Sequence, residues 1–135
     1  MSEYQKPLPH PTALTQPFWD GVRQHKLLVQ KCSSCGKLRH IPKPWCANCL
    51  SQECTWVPLS GRGQVYSYTV MHRAPHTSFT PDVPFAVALI ELEEGVRMIS
   101  NIVGCPYDQV RVGMPVRVVY EDIDDQAALF KFTPA

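Results

Sequence analysis

Cys32-Ser-Ser-Cys35-Gly36 and Cys46-Ala-Asn-Cys49 are the two stretches that decide the fold of this chain, and ten residues separate the two cysteine pairs. Each pair brings two sulfurs to one point, and four thiolates in a tetrahedron form the closed site of structural zinc. Gly36 follows the first pair, where a tight metal knuckle needs a residue that tolerates positive φ. We therefore predict one structural zinc ion bound by Cys32, Cys35, Cys46 and Cys49.

Other chemistries also use paired cysteines. Two disulfides are disfavoured because nothing in the sequence indicates export, and a thioredoxin-like site needs only one Cys-x-x-Cys in a βαβ setting. A rubredoxin-type iron centre uses the same four ligands, so an electron-transfer protein stays open as an alternative. Cys54 and Cys105 lie outside the ligand set, and we expect both to be buried as small hydrophobic side chains.

Length and composition set further limits. A chain of 135 residues is one domain of ordinary size or two very small ones, and 44% hydrophobic residues are typical of a globular protein. No apolar run approaches the roughly 20 residues that span a bilayer. Residues 1–11 lack the apolar core of a signal peptide, so we expect a cytoplasmic protein without a membrane partner. The net charge of +1 argues against a surface built mainly to hold a phosphate backbone.

We divide the chain into an N-terminal arm and helix over residues 1–26, a zinc ribbon over residues 27–55 and a β domain over residues 56–135. The β domain contains β-branched or aromatic runs bounded by Gly, Pro and Asp, as is typical of strands. These runs cover residues 65–71, 83–92, 96–103, 116–120 and 128–132. Five strands in about 75 residues fit an OB-type Greek-key barrel. The prediction is a mainly β protein.

A short helix is predicted over residues 16–25, with Thr15 as its N-cap. Phe18 and Trp19 lie on its apolar face; such residues are more often core than interface, but docking of a partner through them stays open. Residues 27–31 and 38–41 are expected to be the strands that flank the first knuckle. So small a ribbon buries too little apolar area to fold alone, so the metal would supply much of its stability.

The longest connection of the β domain covers residues 72–82, between the first two predicted strands, where many OB-folds bind ligands. Its cationic, titratable or aromatic side chains are His72, Arg73, His76 and Phe79. For any one of them a solvated loop is the more ordinary interpretation. As a group they are the best candidates for ligand or partner contact outside the metal site.

The order of features along the chain resembles a known family. Besides the two knuckles, the stretches that carry the resemblance are Pro17-Phe18-Trp19-Asp20-Gly21, Leu59-Ser60-Gly61-Arg62-Gly63, His72-Arg73-Ala74-Pro75 and Gly113-Met114-Pro115-Val116. Together they closely resemble the small acyl-CoA-associated proteins with a rubredoxin-like zinc ribbon and an OB-fold, over nearly the whole chain from Thr15 onward. One departure is Leu50, where many members have a glycine after the last cysteine.

The resemblance implies an N-terminal helical segment, a zinc ribbon and a C-terminal OB-fold, with all four metal ligands present. It also implies a non-catalytic partner of thiolase-superfamily, hydratase-like or aldolase-like enzymes, which helps to bind acyl-CoA while the partner supplies the nucleophile. A dimeric thiolase-like partner would give a heterotetramer. In such a complex we expect Arg73 to meet a phosphate of coenzyme A, with Arg62 and Arg97 as further contributors. The acyl group stays open.

Two rival functions are weighed against this one. Independent catalysis has little support, because the sequence has no Gly-x-Ser-x-Gly elbow, phosphate-cradling glycine loop or obvious Cys-His pair. The alternative is a nucleic-acid-binding module, since zinc ribbons and OB-folds both occur there and Tyr66, Tyr68 and Phe85 could stack on bases. The balanced charge and the acidic run at residues 121–125 count against nucleic acid.

Overall fold

The structure is a computed structural model that describes residues 6–135, so residues 1–5 of the predicted arm lie outside the described residues. The elements are the helix α1 (Gln16–Arg23) and the strands β1 (Leu28–Cys32), β2 (Leu38–Arg39), β3 (Cys54–Pro58), β4 (Arg62–Met71), β5 (Phe85–Leu92), β6 (Arg97–Ile102), β7 (Pro115–Asp122) and β8 (Ala128–Pro134). Two short 3-10 helices cover Thr77–Asp82 and Tyr107–Gln109. No helix within residues 6–135 is long and apolar enough to cross a membrane.

The helix α1 ends two residues earlier than predicted, in a Schellman-type turn. The Lys26 amide donates to Gly21 O at 2.8 Å and the His25 amide to Val22 O at 3.0 Å. His25 takes the left-handed conformation, with φ +61°, at the position where glycine is usual. At the other end, Thr15 occupies the N-cap position as predicted, but its side chain makes no capping hydrogen bond.

The ribbon is a three-stranded antiparallel sheet in the order β2-β1-β3. The strand β3 was not predicted; it pairs along the whole of β1, from Leu28 opposite Pro58 to Cys32 opposite Cys54. The division predicted between residues 55 and 56 falls inside this strand. A two-residue β2 leaves one edge of β1 nearly uncovered, so β3 supplies most of the hydrogen bonds of this sheet.

The second half is a closed five-stranded barrel in the order β4-β5-β6-β8-β7, which confirms the predicted OB-type architecture. The strand β4 pairs with β5 along its length and with β7 only at its start, over residues 62–64. The barrel closes between β6 and β8 through one parallel pair, Ile102 with Phe132. At Gly63 a side chain would collide with the Glu91 carbonyl, so the close approach of β4 to β5 at this position requires glycine.

One hydrophobic core joins the helix, the ribbon and the barrel. Phe132, Ile90 and Met98 fill the barrel and are almost inaccessible. Phe18 is 3% exposed and packs edge-on against Phe130 with ring centroids 5.5 Å apart. Phe18 is therefore a core residue, which was the more ordinary of its two interpretations, and its ring offers little surface to a partner.

Three further residues have intermediate exposure. Trp19 stands edge-on to Phe18 at 5.1 Å and packs against the core. Cys54 and Cys105 are half-buried rather than buried, and Cys105 packs against the same core. The expectation of full burial for these two cysteines is thus corrected.

Candidate metal centre and ligand surfaces

The four predicted ligands converge. All four sulfurs lie within 4.8 Å of one another, with 3.5 Å between Cys32 and Cys49 and 3.6 Å between Cys35 and Cys46. In a zinc tetrathiolate with Zn–S bonds of 2.3 Å, the sulfur–sulfur edges would be roughly 3.8 Å. The site is therefore compatible with one zinc ion, and four thiolates leave no open position for a substrate.

The two knuckles have the same backbone geometry. The Gly36 amide donates to Cys32 O at 2.9 Å, and the Leu50 amide donates to Cys46 O at 2.8 Å. The residue that closes each turn is left-handed, with φ +77° at Gly36 and +64° at Leu50. The prediction for Gly36 is confirmed. At Leu50 an L-residue occupies a conformation that favours glycine.

Backbone amides prepare the sulfurs for metal. The amide of Cys35 lowers the pKa of the Cys32 thiol, that of Lys37 lowers the pKa of Cys35, and that of Cys49 lowers the pKa of Cys46. The Ser51 amide acts on Cys49 in the same direction, but the neighbouring sulfurs and burial outweigh it and raise the pKa of Cys49 to about 11. In the absence of metal, the Cys49 thiol keeps its proton, because its burial and its hydrogen bonds with the neighbouring sulfurs favour the neutral form.

A buried glutamine holds the loop that connects the two knuckles. Gln30 is 2% exposed, and its Oε1 accepts from Arg39 Nε and from the Lys43 amide, both at 2.8 Å. Arg39 also donates to Lys43 O at 3.2 Å. Sequence reasoning missed this residue, although a lone amide in the strand that leads to Cys32 was a signal.

The side chains of the connection between β4 and β5 are partly engaged with one another. His76 Nδ1 accepts from the Ser78 amide at 3.1 Å and caps the 3-10 helix. His72 stands edge-on to Tyr107, with ring centroids 6.0 Å apart. Phe79 packs on Phe85 at 5.8 Å. Arg73 is exposed, and within residues 6–135 it forms no ion pair.

Arg62 and Arg97 are paired with carboxylates of the barrel. Arg62 binds Glu93 through two hydrogen bonds of 3.0 and 3.1 Å, which raise the pKa of the guanidinium and lower that of the carboxyl. Arg97 donates to Glu91 at 3.1 Å and lies 3.9 Å from the centre of the Tyr66 ring.

The six candidate contact residues do not form one site. Arg62 begins β4 and His72 follows its last residue, so a strand of about 30 Å separates the two groups. The sequence identified these residues as candidates but did not show that they form two separate groups. They are separated because β4 is long and places residues at its two ends far apart.

A cavity of about 320 Å³ lies beside the β4–β5 connection, on the outside of the β6–β8 seam. Apolar side chains of Phe79, Phe85 and Leu129 line it, and Lys6 and Pro7 of the N-terminal arm form another wall. Lys6 forms an ion pair with Asp82 and lies over the Phe79 ring. The volume is at the lower end of small-molecule sites, so it suits part of a larger ligand.

Known protein families match both parts of the chain. Residues 19–54 match the model described as the rubredoxin-like zinc ribbon domain of ChsH2. Residues 56–121 match the model described as the C-terminal OB-fold domain of ChsH2.

Three curated relatives extend the likeness. The chain is 42% identical over 119 residues to the probable enoyl-CoA hydratase alpha subunit of Thermomonospora curvata, a match that covers 87% of this chain but 37% of that protein. It is 36% identical over 124 residues to a DUF35 domain-containing scaffold protein of Methanocaldococcus jannaschii, covering 86% of this chain and 87% of the relative. It is 33% identical over 95 residues to the benzoylsuccinyl-CoA thiolase subunit BbsA of Geobacter metallireducens, covering 70% and 61%.

A solved structure has the same fold. A chain of the structure described as an Ltp2-ChsH2(DUF35) aldolase superposes with a TM-score of 0.84 and 38% identity. The superposition covers 93% of this chain and 98% of that chain.

Proposed function

We propose, from the premise that this chain belongs to the DUF35 family of ChsH2-type zinc-ribbon and OB-fold proteins, that it is a non-catalytic accessory subunit of a thiolase-type or aldolase-type enzyme acting on acyl-CoA. One zinc ion in the four-cysteine site holds its ribbon together. The partner enzyme supplies the nucleophile. With a dimeric partner the assembly would be a heterotetramer, and reducing cytoplasm would keep the six free cysteines available.

The observation that carries the proposal is the extent of the structural match. The superposition covers 98% of a chain of the Ltp2-ChsH2(DUF35) aldolase and 93% of this protein. The curated relatives support it because their names describe subunits of enzymes for CoA thioesters. The hydratase relative is almost three times as long as the matched part, so its activity does not pass to this chain by the match alone.

The described side chains support a role in which this chain catalyses no reaction by itself. A tetrathiolate zinc site has no position for a water or substrate. Within residues 6–135, no hydrogen bond joins Cys54 or Cys105 to a histidine, so the pairing that activates a cysteine nucleophile is absent from this part of the chain.

We assign acyl-CoA contact to the β4–β5 connection and the cavity beside it. Arg73 is exposed and unpaired in the described chain, so it can meet a phosphate without breaking an existing ion pair. Phe79 and Phe85 line the apolar cavity, which suits the pantetheine arm or the acyl chain. Arg62 and Arg97 would first have to leave Glu93 and Glu91, so they are the weaker candidates.

Partner docking is assigned to the barrel rather than to the buried Phe18. Tyr66, Tyr68 and Ile99 are large side chains that remain exposed on β4 and β6, the two strands that flank β5. Trp19 has intermediate exposure and packs against the hydrophobic core, so it is a secondary candidate for partner docking. Exposed aromatic residues of this kind are enriched in protein interfaces.

The experiment that tests the proposal is isolation of the tagged chain from its own host under native conditions, followed by identification of its partner. Stoichiometric recovery of a thiolase-like or aldolase-like enzyme that loses acyl-CoA turnover without this chain is the expected result. Tyr66→Ala/Ile99→Ser should reduce recovery, with Val112→Ser, another exposed apolar residue, as the matched control. Recovery of the zinc-loaded chain alone would contradict the proposal.

A further inference from the structure

We propose that the zinc ribbon binds the phosphorylated adenosine head of coenzyme A, in a surface cavity beside β2 that we name the ribbon cavity. Its lining includes Lys37, Arg39, Ile41, Lys43 and Cys46. The ligand class rests on the proposed function, since acyl-CoA is the substrate of the proposed complex. The cavity itself is argued from the charges and contacts of this chain.

The near-zero net charge of the protein conceals an uneven distribution. The ribbon, residues 27–55, contains Lys31, Lys37, Arg39 and Lys43 but a single carboxylate, Glu53. Residues 59–135 contain six basic and nine acidic residues. A comparison of total charges therefore underestimates how strongly the ribbon attracts anions.

Three of the four ribbon cations line the same cavity. Lys37, Arg39 and Lys43 surround a space of about 170 Å³, and within residues 6–135 none of them forms an ion pair. Glu53 directly precedes β3, at the opposite edge of the sheet, which two strand spacings of about 5 Å separate from β2. In the barrel, by contrast, Arg62, Arg97 and Lys131 are each paired with a glutamate.

The Arg39 side chain and the backbone of Lys43 are held in place before any ligand arrives. The buried Gln30 fixes both the Arg39 guanidinium and the Lys43 backbone. Because Arg39 Nη1 is buried without a hydrogen-bond partner, part of this charge sits away from water, where its field is weakly screened. Because the Arg39 side chain is already fixed, it loses little conformational entropy when a ligand binds. This favours the binding of a multiply charged anion.

The apolar rim suits a base rather than a bare anion. Ile41 is 63% exposed on the cavity, and Trp45, 52% exposed, immediately precedes the lining residue Cys46. Exposed aromatic rings stack on nucleobases, and cations meet the phosphates. The volume is too small for a whole acyl-CoA, so the pantetheine arm would lie outside the ribbon cavity.

The competing explanation is charge balance at the metal. A zinc tetrathiolate has a net charge of −2, and nearby lysines would offset it. Lys31 and Lys37 are the closest in sequence to the first knuckle. That explanation accounts for two cations and leaves Arg39 and Lys43 without a role, and it predicts loss of zinc rather than loss of ligand when the lysines are neutralised.

The test is isothermal titration of the zinc-loaded full chain with coenzyme A, adenosine 3′,5′-bisphosphate and inorganic phosphate. The ribbon variant Lys37→Gln/Lys43→Gln is compared with Arg111→Gln/Arg117→Gln, which removes the same charge from exposed barrel positions. We expect the ribbon variant to raise the Kd for both nucleotides at least tenfold with zinc content unchanged, and the barrel variant to have the parent's Kd. Trp45→Ala should weaken the bisphosphate severalfold without changing the affinity for inorganic phosphate.

Several results would overturn the proposal: no nucleotide binding by the parent chain, an equal loss in both double variants, or zinc loss confined to the ribbon variant. Equal affinity for inorganic phosphate and the bisphosphate would remove the adenosine contact. Tighter, lysine-dependent binding of a single-stranded oligonucleotide would assign the cavity to nucleic acid instead. The partner isolation described above tests the proposed function separately. If the enzyme partner is recovered but the ribbon variant binds nucleotide as tightly as the parent chain, only the ribbon site is refuted. If the chain binds nucleotide but no enzyme partner is recovered, only the proposed function is refuted.

Discussion

His25 lies flat on Tyr120, with ring centroids 4.8 Å apart and an interplanar angle of 3°. The Nε2 atom of the same imidazole lies 2.9 Å from the Asp122 carboxylate. His25 lies in the turn that follows α1 and Tyr120 lies in β7, so this contact ties the segment between the helix and the ribbon to the barrel wall. The left-handed backbone of His25 aims the ring at β7, and it is therefore part of the same arrangement.

Replacement of His25 should loosen this attachment. His25→Asn keeps a residue that tolerates the left-handed conformation but removes the stacked ring and the contact with Asp122. We expect the free energy of unfolding in urea to fall by about 1 kcal/mol, the usual scale of an aromatic pair. His10→Asn, at an exposed position outside α1, is the control and should leave it unchanged. An unaffected His25→Asn protein would show that the stack contributes nothing to stability.

Leu50→Gly should strengthen the metal site. A left-handed L-residue costs roughly 1–2 kcal/mol, and the entropy cost of glycine offsets about half of that. The side chain is 72% exposed, so little packing is lost. Competition with a chelator should show about threefold tighter zinc retention in Leu50→Gly and weaker retention in the reciprocal variant Gly36→Leu. Weaker retention in Leu50→Gly would contradict the strain argument.

Gln30→Leu should destabilise the ribbon although it makes the core more apolar. The change leaves the Arg39 Nε donor and the Lys43 amide without their acceptor, and each orphaned donor costs about 1–3 kcal/mol. We expect a fall of about 3 kcal/mol in the free energy of unfolding of the zinc-loaded chain, measured by urea denaturation. Gln64→Leu, exposed on β4, is the matched control. Equal stability of both variants would refute the role of Gln30.

Metal removal should unfold the ribbon selectively. Elemental analysis is expected to find one zinc per chain and no iron, and one equivalent of iron would instead revive the electron-transfer alternative. After chelation, amide protection should be lost in β1 and β3 because the ribbon buries too little area to fold alone. Amides of β5 and β6 in the barrel are the internal control. Retained protection in β1 would mean that the sheet is stable without the metal.

Burial of His40 predicts a dependence of stability on pH. Desolvation lowers the pKa of this imidazole from 6.5 to about 4, and its ring packs 5.0 Å from that of Phe18. The folded state therefore favours the neutral form: the stabilisation is complete above pH 6.5 and is lost as the pH falls towards 4. Over this window we expect a loss of up to roughly 3 kcal/mol. His40→Phe should have a flatter profile in urea unfolding between these pH values, and a profile as steep as the parent's would assign the loss to another group, such as the zinc thiolates.

The metal site and the barrel were predictable because their signals are local. Two Cys-x-x-Cys pairs bring their sulfurs together through a few backbone hydrogen bonds within each knuckle. The strands of the barrel follow from runs of β-branched residues and the turn residues between them. The helix end at Arg23 and the pairing of β3 were missed, because both depend on contacts with residues that the local pattern does not contain.

The sequence alone determined the four-cysteine site, the order of ribbon and barrel, and the positive φ at Gly36, since each depends on residue type at short spacing. The tertiary structure alone decided which charges are free. It pairs Arg62 and Arg97 with glutamates across neighbouring segments, and it leaves Lys37 and Lys43 unpaired beside one cavity within the described chain. The reason is physical: a charge is neutralised by whatever lies within a few ångströms, and in a sheet those neighbours come from distant parts of the chain.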